Sequence, residues 1–170
     1  AVGGQGHRAR MRNRRQRRAL RGRLGALPGQ RPAAAGRRRF VVFDVHSYNH
    51  RRRGPDAPVD DPEQNPEVNV GTGSIDHARW QDVIDAFSAA MAAHPFDGGH
   101  LDVRENVRFR GGNMGRWINS RYAEQGCAIA IEVKKIYMDE WTGQPDDGAV
   151  VGIGEALAVA ADAVREVIAG

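Results

Sequence analysis

Two strand-length stretches carry the residues that could do chemistry. Phe40 to His50 reads Phe-Val-Val-Phe-Asp-Val-His-Ser-Tyr-Asn-His, an apolar run that ends in Asp44, His46 and His50, a cluster rich in ligand-type side chains. Side chains alternate along a strand, so Val41, Phe43 and Val45 share one face and Val42, Asp44 and His46 the other. Gly126 to Val133 reads Gly-Cys-Ala-Ile-Ala-Ile-Glu-Val, and Glu132 is out of place in it. A carboxylate in an apolar strand is costly to bury unless it is paired or takes up a proton. Glu132 shares its face with Ala128 and Ala130, small residues that leave space in front of it. An ion pair with Lys134, or with an arginine of the 108–110 segment, would satisfy it without any function. Its place at the end of a buried strand favours a working role. Cys127 has no partner apparent in the sequence and reads as an inert core thiol.

A third stretch could bind a carboxylate. Arg108-Phe109-Arg110-Gly111-Gly112 sets two guanidinium forks beside a glycine pair that permits close approach. The same pattern suits an ordinary strand-to-helix turn. Gly71-Thr72-Gly73 could cradle an anion, and His94, Asp97 and His100 could ligate a metal by residue type. For both of these a plain turn is the simpler reading.

These groups need elements to position them. The strand from Phe40 is apolar on both faces and is expected in the middle of a parallel sheet covered by helices. In such sheets ligands bind at the carboxyl ends of the strands, where Asp44 and His46 stand. A long Pro- and Asp-rich loop follows, to Pro66, beside that end. Val68 to Gly73 predicts a short strand and turn. Asp76 is the expected N-cap of a helix reaching about Ala93, with Trp80, Val83, Ile84, Phe87 and Met91 as its core stripe. Leu101 to Val107 predicts a strand. The next helix is expected to carry Met114, Trp117, Ile118 and Tyr122 inward. Ile136 to Gly143 predicts a loop able to close over a site, and Gln144 to Gly148 a linker. A last helix from about Gly152 to Ala169 turns Ile153, Leu157, Ala160, Val164 and Ile168 to the core. Strands alternating with amphipathic helices make an α/β layered fold.

The 170 residues suit one domain with a real core. No apolar run nears the roughly 18 residues of a membrane span, and no apolar stretch follows the basic N-terminus as a signal peptide would require. A single cysteine excludes an internal disulfide and fits a reducing compartment. The expectation is a soluble cytoplasmic protein with no membrane partner. The formal charge of +4 hides two opposed parts. Residues 1–43 hold 13 Arg and no Asp or Glu; the other 12 basic and all 21 acidic side chains follow, a net of −9. Residues 1–39 are poor in large apolar side chains and predict a tail, disordered or a lone basic helix. Such a tail could hold nucleic acid through phosphate contacts, or simply be solvated. Arg, Gly, Ala and Pro are also the residues of GC-rich codons, so a shifted reading frame or misplaced start gives the same composition. Reading the upstream DNA in its other frames separates these origins.

Asp44-Val45-His46-Ser47-Tyr48-Asn49-His50 together with Ala130-Ile131-Glu132 resembles the N-formylglutamate amidohydrolase family, itself similar to the zinc carboxypeptidases. The likeness extends through Asn106 to Gly112 and Tyr137-Met138-Asp139-Glu140. It implies a mixed, largely parallel sheet flanked by helices and one catalytic zinc. By resemblance His46 is the last zinc-binding histidine and Glu132 the general base on the zinc-bound water. Arg108, Arg110, Gly111 and Gly112 look like part of the substrate pocket. Asp44 stands where it could support His46. The implied substrate is a small N-acyl amino acid such as N-formylglutamate, cleaved at a linear amide. Zinc with three protein ligands and an open position lowers the pKa of bound water toward about 7, which suits that chemistry.

One departure stands out. The family places a His-x-x-Glu pair of zinc ligands upstream of His-Ser, and no histidine here has Glu three residues on. The chain from residue 40 is therefore expected to be the C-terminal part of an amidohydrolase domain, with an incomplete ligand set, an exposed sheet edge and no activity alone. One rival is a non-catalytic regulatory or carboxylate-binding protein that kept the fold and lost the metal. The other is nucleic-acid binding through the Arg-rich tail.

Overall fold

A computed structural model describes residues 38–170. The tail expected over 1–39 lies, except for Arg38 and Arg39, outside the described residues. The elements in order are β1 (Phe40–Tyr48), a 3-10 turn (Pro62–Gln64), β2 (Val68–Gly71), α1 (His77–Ala93), β3 (Pro95–Phe96), β4 (Gly99–His100), β5 (Val103–Glu105), α2 (Asn113–Arg121), β6 (Gly126–Lys134) and α3 (Asp147–Ala169). Four strands form one sheet in the order β1-β6-β2-β5. β1 and β6 run parallel, as do β2 and β5, while β2 and β6 run antiparallel. The fold is thus α/β, with a mixed, mostly parallel sheet flanked by helices.

Period-two alternation in β6 sends Cys127, Ile129, Ile131 and Val133 to one face, joined by Val68 and Val70 of β2. Against that face pack Trp80, Val83, Ile84, Phe87 and Met91 of α1 and Ile153, Ala156, Ala160 and Val164 of α3, all in one cluster. Burying a large apolar side chain of this kind stabilises by about 1.5–3 kcal/mol, so this face supplies most of the drive to fold. Asp76 caps α1 by accepting a hydrogen bond from Ala78 N at 3.1 Å. Among the described residues, no helix is long and apolar enough to cross a membrane.

Four expectations need correction. β1 stands at the edge of the sheet among the described residues, not in its middle, and Val45 is 53% exposed. An apolar pattern reports what covers the faces of a strand and says nothing of its hydrogen-bonded neighbours. α3 starts five residues earlier than the expected Gly152, because Asp146 caps it through Ala149 N at 3.0 Å; the last two residues of the expected linker, Asp147 and Gly148, lie in its first turn. α2 packs through Gly115, Ile118 and Asn119, leaving Met114 and Trp117 exposed. Gly and Asn on the packed face hid that stripe from an apolar count. The strand expected over 101–107 is confined to β5, preceded by the β3–β4 hairpin, whose turn residues Asp97 and Gly98 have φ of 46° and 72°. His94, Asp97 and His100 therefore mark a turn.

Candidate functional site

Register makes the first step. His46 stands opposite Glu132 in the β1–β6 pair, and Asn69 stands opposite Glu132 in the β2–β6 pair. Directly opposed residues share a face. His46, Glu132 and Asn69 therefore form one row across three strands, on the face turned away from the α1–α3 cluster. Asp44 shares this face, and its Oδ1 lies 2.5 Å from His46 Nε2. The Asp44 side chain is nearly buried, whereas that of His46 is 52% exposed.

Among the described residues Glu132 has no ion-pair partner. Lys134, one candidate, donates instead to the Asn65 carbonyl at 3.1 Å. The Arg108 guanidinium, another, donates to Asn65 Oδ1. Burial pushes the Glu132 carboxyl above the usual carboxylate range; charge on His46 pulls it back and Asp44 adds to the rise. A carboxylate so placed is a better proton acceptor than a solvated one.

The segment Arg108–Gly111 crosses this face as irregular backbone, held at several points. Asn69 Oδ1 accepts from Arg108 N at 2.8 Å and Phe109 N at 3.2 Å, and Asn69 Nδ2 donates to Phe109 O at 2.8 Å. Gly73 N donates to Arg110 O at 2.9 Å. A Cβ on Gly71 would come within 2.7 Å of Gly111 N, and one on Gly73 within 2.9 Å of Arg110 Cβ. The Gly-Thr-Gly of the sequence thus serves close backbone approach. Gly111 itself has φ of 101°, a conformation that favours glycine. Ala130, expected to leave open space before Glu132, instead admits this backbone: an ideal Cβ on Gly111 would lie 3.7 Å from Ala130 Cβ. Beside Ala128, along the edge of β6, Asn119 accepts from Ala128 N at 2.6 Å and donates to Ala128 O at 3.2 Å.

Arg108 and Arg110 fare differently. The Arg108 guanidinium lies over the Tyr48 ring at 5.2 Å and the Phe109 ring at 5.5 Å. It is half-buried, and among the described residues no carboxylate pairs with it. Tyr48 hydrogen-bonds to the Pro66 carbonyl, and burial pushes its phenol up to about 12 against the opposing charge of Arg108. Arg110 is exposed, as is Gly112 at the start of α2. Arg108 and Gly111 therefore border the row, and Arg110 and Gly112 stand toward solvent.

The roles of two residues escaped the sequence reading. Asn69, wholly buried between Val68 and Val70, breaks an apolar strand just as Glu132 does, and that interruption was the available signal. Glu140, whose side chain is 1% exposed, accepts from His50 N at 2.6 Å and Arg51 N at 3.2 Å. It ties the loop after β6 to the loop after β1. Burial holds the His50 imidazole below its usual range, with Glu140 opposing. Cys127 is buried and its thiol is pushed up to about 12, consistent with inert packing.

An apolar cavity of about 390 Å³ also touches His46, but its walls are Val45, Val133, Tyr137, Val150, Ile153 and Leu157, on the helix-covered side of β1. It does not include Glu132 and is not the site. As for a metal, no group of three or more His, Cys, Asp or Glu converges among the described residues. His46 already contacts Asp44 through Nε2. The described donor set alone does not fit the zinc that the resemblance implies.

A family model described as N-formylglutamate amidohydrolase matches residues 23–138 of the chain. Among solved structures, the chain is similar to the crystal structure of N-formylglutamate amidohydrolase from Ralstonia eutropha JMP134, at 15% identity and a TM-score of 0.52. The match covers 73% of this chain and 42% of that one, so the chain spans less than half of that protein's length. No curated protein matches it.

Proposed function

Because the chain belongs to the N-formylglutamate amidohydrolase family, we propose that its polar sheet face serves hydrolysis of an N-acyl amino acid such as N-formylglutamate. The observation that carries this reading is the row of His46, Glu132 and Asn69, whose Asn69 holds the backbone of Arg108, an arginine that no described carboxylate pairs. Arg108 takes a substrate carboxylate, its fork matching two oxygens at once. That contact aligns the acyl amide with Glu132 and removes the entropic barrier to meeting it. Glu132, its proton affinity raised by burial, accepts a proton from the attacking water and returns it to the leaving amine. Asp44 holds the His46 ring against the row. His46 is one ligand for the zinc of the family resemblance; the remaining ligands are not among the described residues.

Elemental analysis of the purified chain tests this, alongside release of free amine from N-formylglutamate. About one zinc per chain, lost in His46→Ala, would mean that ligands outside the described set complete the site, and amine release lost in Glu132→Gln is then the expected result. Zinc-free protein that releases no amine refutes hydrolysis by this chain on its own. The half-buried Arg108 without a carboxylate partner supports a second reading in that event, a carboxylate-binding protein of the same fold. Binding of N-formylglutamate that Arg108→Ala weakens by about tenfold is its signature, and no binding at all removes both.

A further inference from the structure

We infer that Asn69 is a positioning residue: it fixes the substrate-carboxylate arginine, Arg108, at a set place relative to Glu132. The inference rests on the proposed function and goes beyond it, because neither the motif resemblance nor the family match assigns Asn69 a role. Asn69 sits in β2 directly across from Glu132 and is fully buried. A buried amide is costly unless all its groups are bonded. Here the bonding is complete on the side that matters. Its oxygen takes two successive backbone N–H groups, those of Arg108 and Phe109, and its NH2 returns a bond to Phe109 O. These bonds reach across 39 and 40 residues of sequence to a segment that belongs to no strand or helix.

The entry of that segment is fixed two residues earlier, where Asn106 N donates to Val70 O at 2.9 Å and Asn106 Oδ1 accepts from Thr72 N at 3.0 Å, and the Phe109 ring packs 5.3 Å from that of Tyr48; the backbone N–H groups of Arg108 and Phe109 themselves go to Asn69. The glycine contacts and the Gly73–Arg110 bond fix Arg110 and Gly111, after the arginine in question. Arg108 itself is fixed at its backbone by Asn69 and at its guanidinium by Asn65 and the two aromatic rings. Removing the Asn69 amide leaves two backbone N–H groups unpaired and frees the root of the Arg108 side chain. Glu132, carried by β6, stays where it is. The pair that must bracket the substrate then loses its spacing, and misplacement of about 1 Å is enough to cost a large factor in a positioned site.

The test uses the full chain and two measurements. Calorimetric titration with N-formylglutamate is made on the wild type, Asn69→Ala, Arg108→Ala and the double variant. If Asn69 acts through Arg108, each single change weakens binding by about tenfold and the double by no more than Arg108→Ala alone. Losses that multiply to about a hundredfold, or an Asn69→Ala chain that binds like wild type, overturn the inference. Backbone hydrogen exchange reads the positioning without any ligand. Asn69→Ala is expected to speed exchange at Arg108 and Phe109 by at least about tenfold while β6 stays protected; unchanged exchange there overturns it. Should Asn69→Ala fail to fold, Asn69→Ser enters the same cycle. A wild-type chain that binds no N-formylglutamate refutes the functional reading, and with it the substrate role given to Asn69, even where the exchange result holds.

Discussion

On the helix-covered face of the sheet, Ile129, Ile131, Val68 and Val70 meet Phe87, Trp80 and Met91 through apolar contact alone. On the other face β1, β6 and β2 present Asp44, Glu132 and Asn69, and Asp44 and Asn69 are held by hydrogen bonds with named partners. The first face is closed by filling volume, which is non-directional and tolerates small shifts. The second is closed by geometry, where each donor has one acceptor and a displaced segment leaves a group unpaired. The first face therefore gives the fold its stability, while the second has the fixed positions that a site needs. Glycine and alanine do on the polar face what leucine and phenylalanine do on the apolar one: they set how near the next layer comes.

The contrast predicts separate outcomes for the two faces. Phe87→Ala on α1 removes a fully buried ring that packs 5.3 Å from that of Phe43. It is expected to cost about 3–5 kcal/mol in denaturant unfolding, with ligand affinity per folded molecule unchanged. Asn119→Ala is expected to cost less, about 1–3 kcal/mol. Its amide stands in for a strand beside Ala128, where β2 has already ended at Gly71, so its loss leaves a buried N–H without a partner. Local hydrogen exchange at Ala128 should rise with it. A Phe87→Ala chain that loses ligand affinity while staying folded would break the separation, because it would mean that the apolar layer sets the polar geometry.

The fold was largely readable because period and capping are local. Alternation in 126–133, the stripe from Trp80 to Met91 and the Asp76 cap all stand within a few residues of what they organise. The site was readable in part for the same reason: Asp44 and His46 lie on one strand, and Glu132 betrays itself as a carboxylate among Ala and Ile. Register was not readable. Nothing near Glu132 in sequence says that His46 faces it from one side and Asn69 from the other. Nor did the glycines at 71 and 73 say that their neighbour would be the backbone at 110–111, some 40 residues away. Asn69 was legible as an oddity in Val-Asn-Val, and only the fold shows what its amide holds. β1 misled because apolar faces do not count neighbouring strands.

The smallest expected effect is also the sharpest probe of the polar face. Burial raises the Glu132 carboxyl in the folded chain above its ordinary 4.5, while the unfolded chain titrates near that ordinary value. Between those two values the folded chain holds more protons than the unfolded one, so stability falls as pH rises through the window and the loss is complete above it. A glutamine amide in place of this carboxyl has no such titration. Glu132→Gln is therefore expected to match the wild type in thermal unfolding at about pH 4 and to exceed it near neutral pH, by a modest margin because solvent reaches part of the side chain. The same substitution should abolish amine release, so that stability and activity move in opposite directions at one residue. Such opposition marks a group held in an unfavourable state by its surroundings, which is how a general base gains proton affinity. Melting curves that coincide at both pH values would mean that the Glu132 carboxylate is as well solvated folded as unfolded. The polar face would then present it as a surface charge, with no reason to be the better proton acceptor.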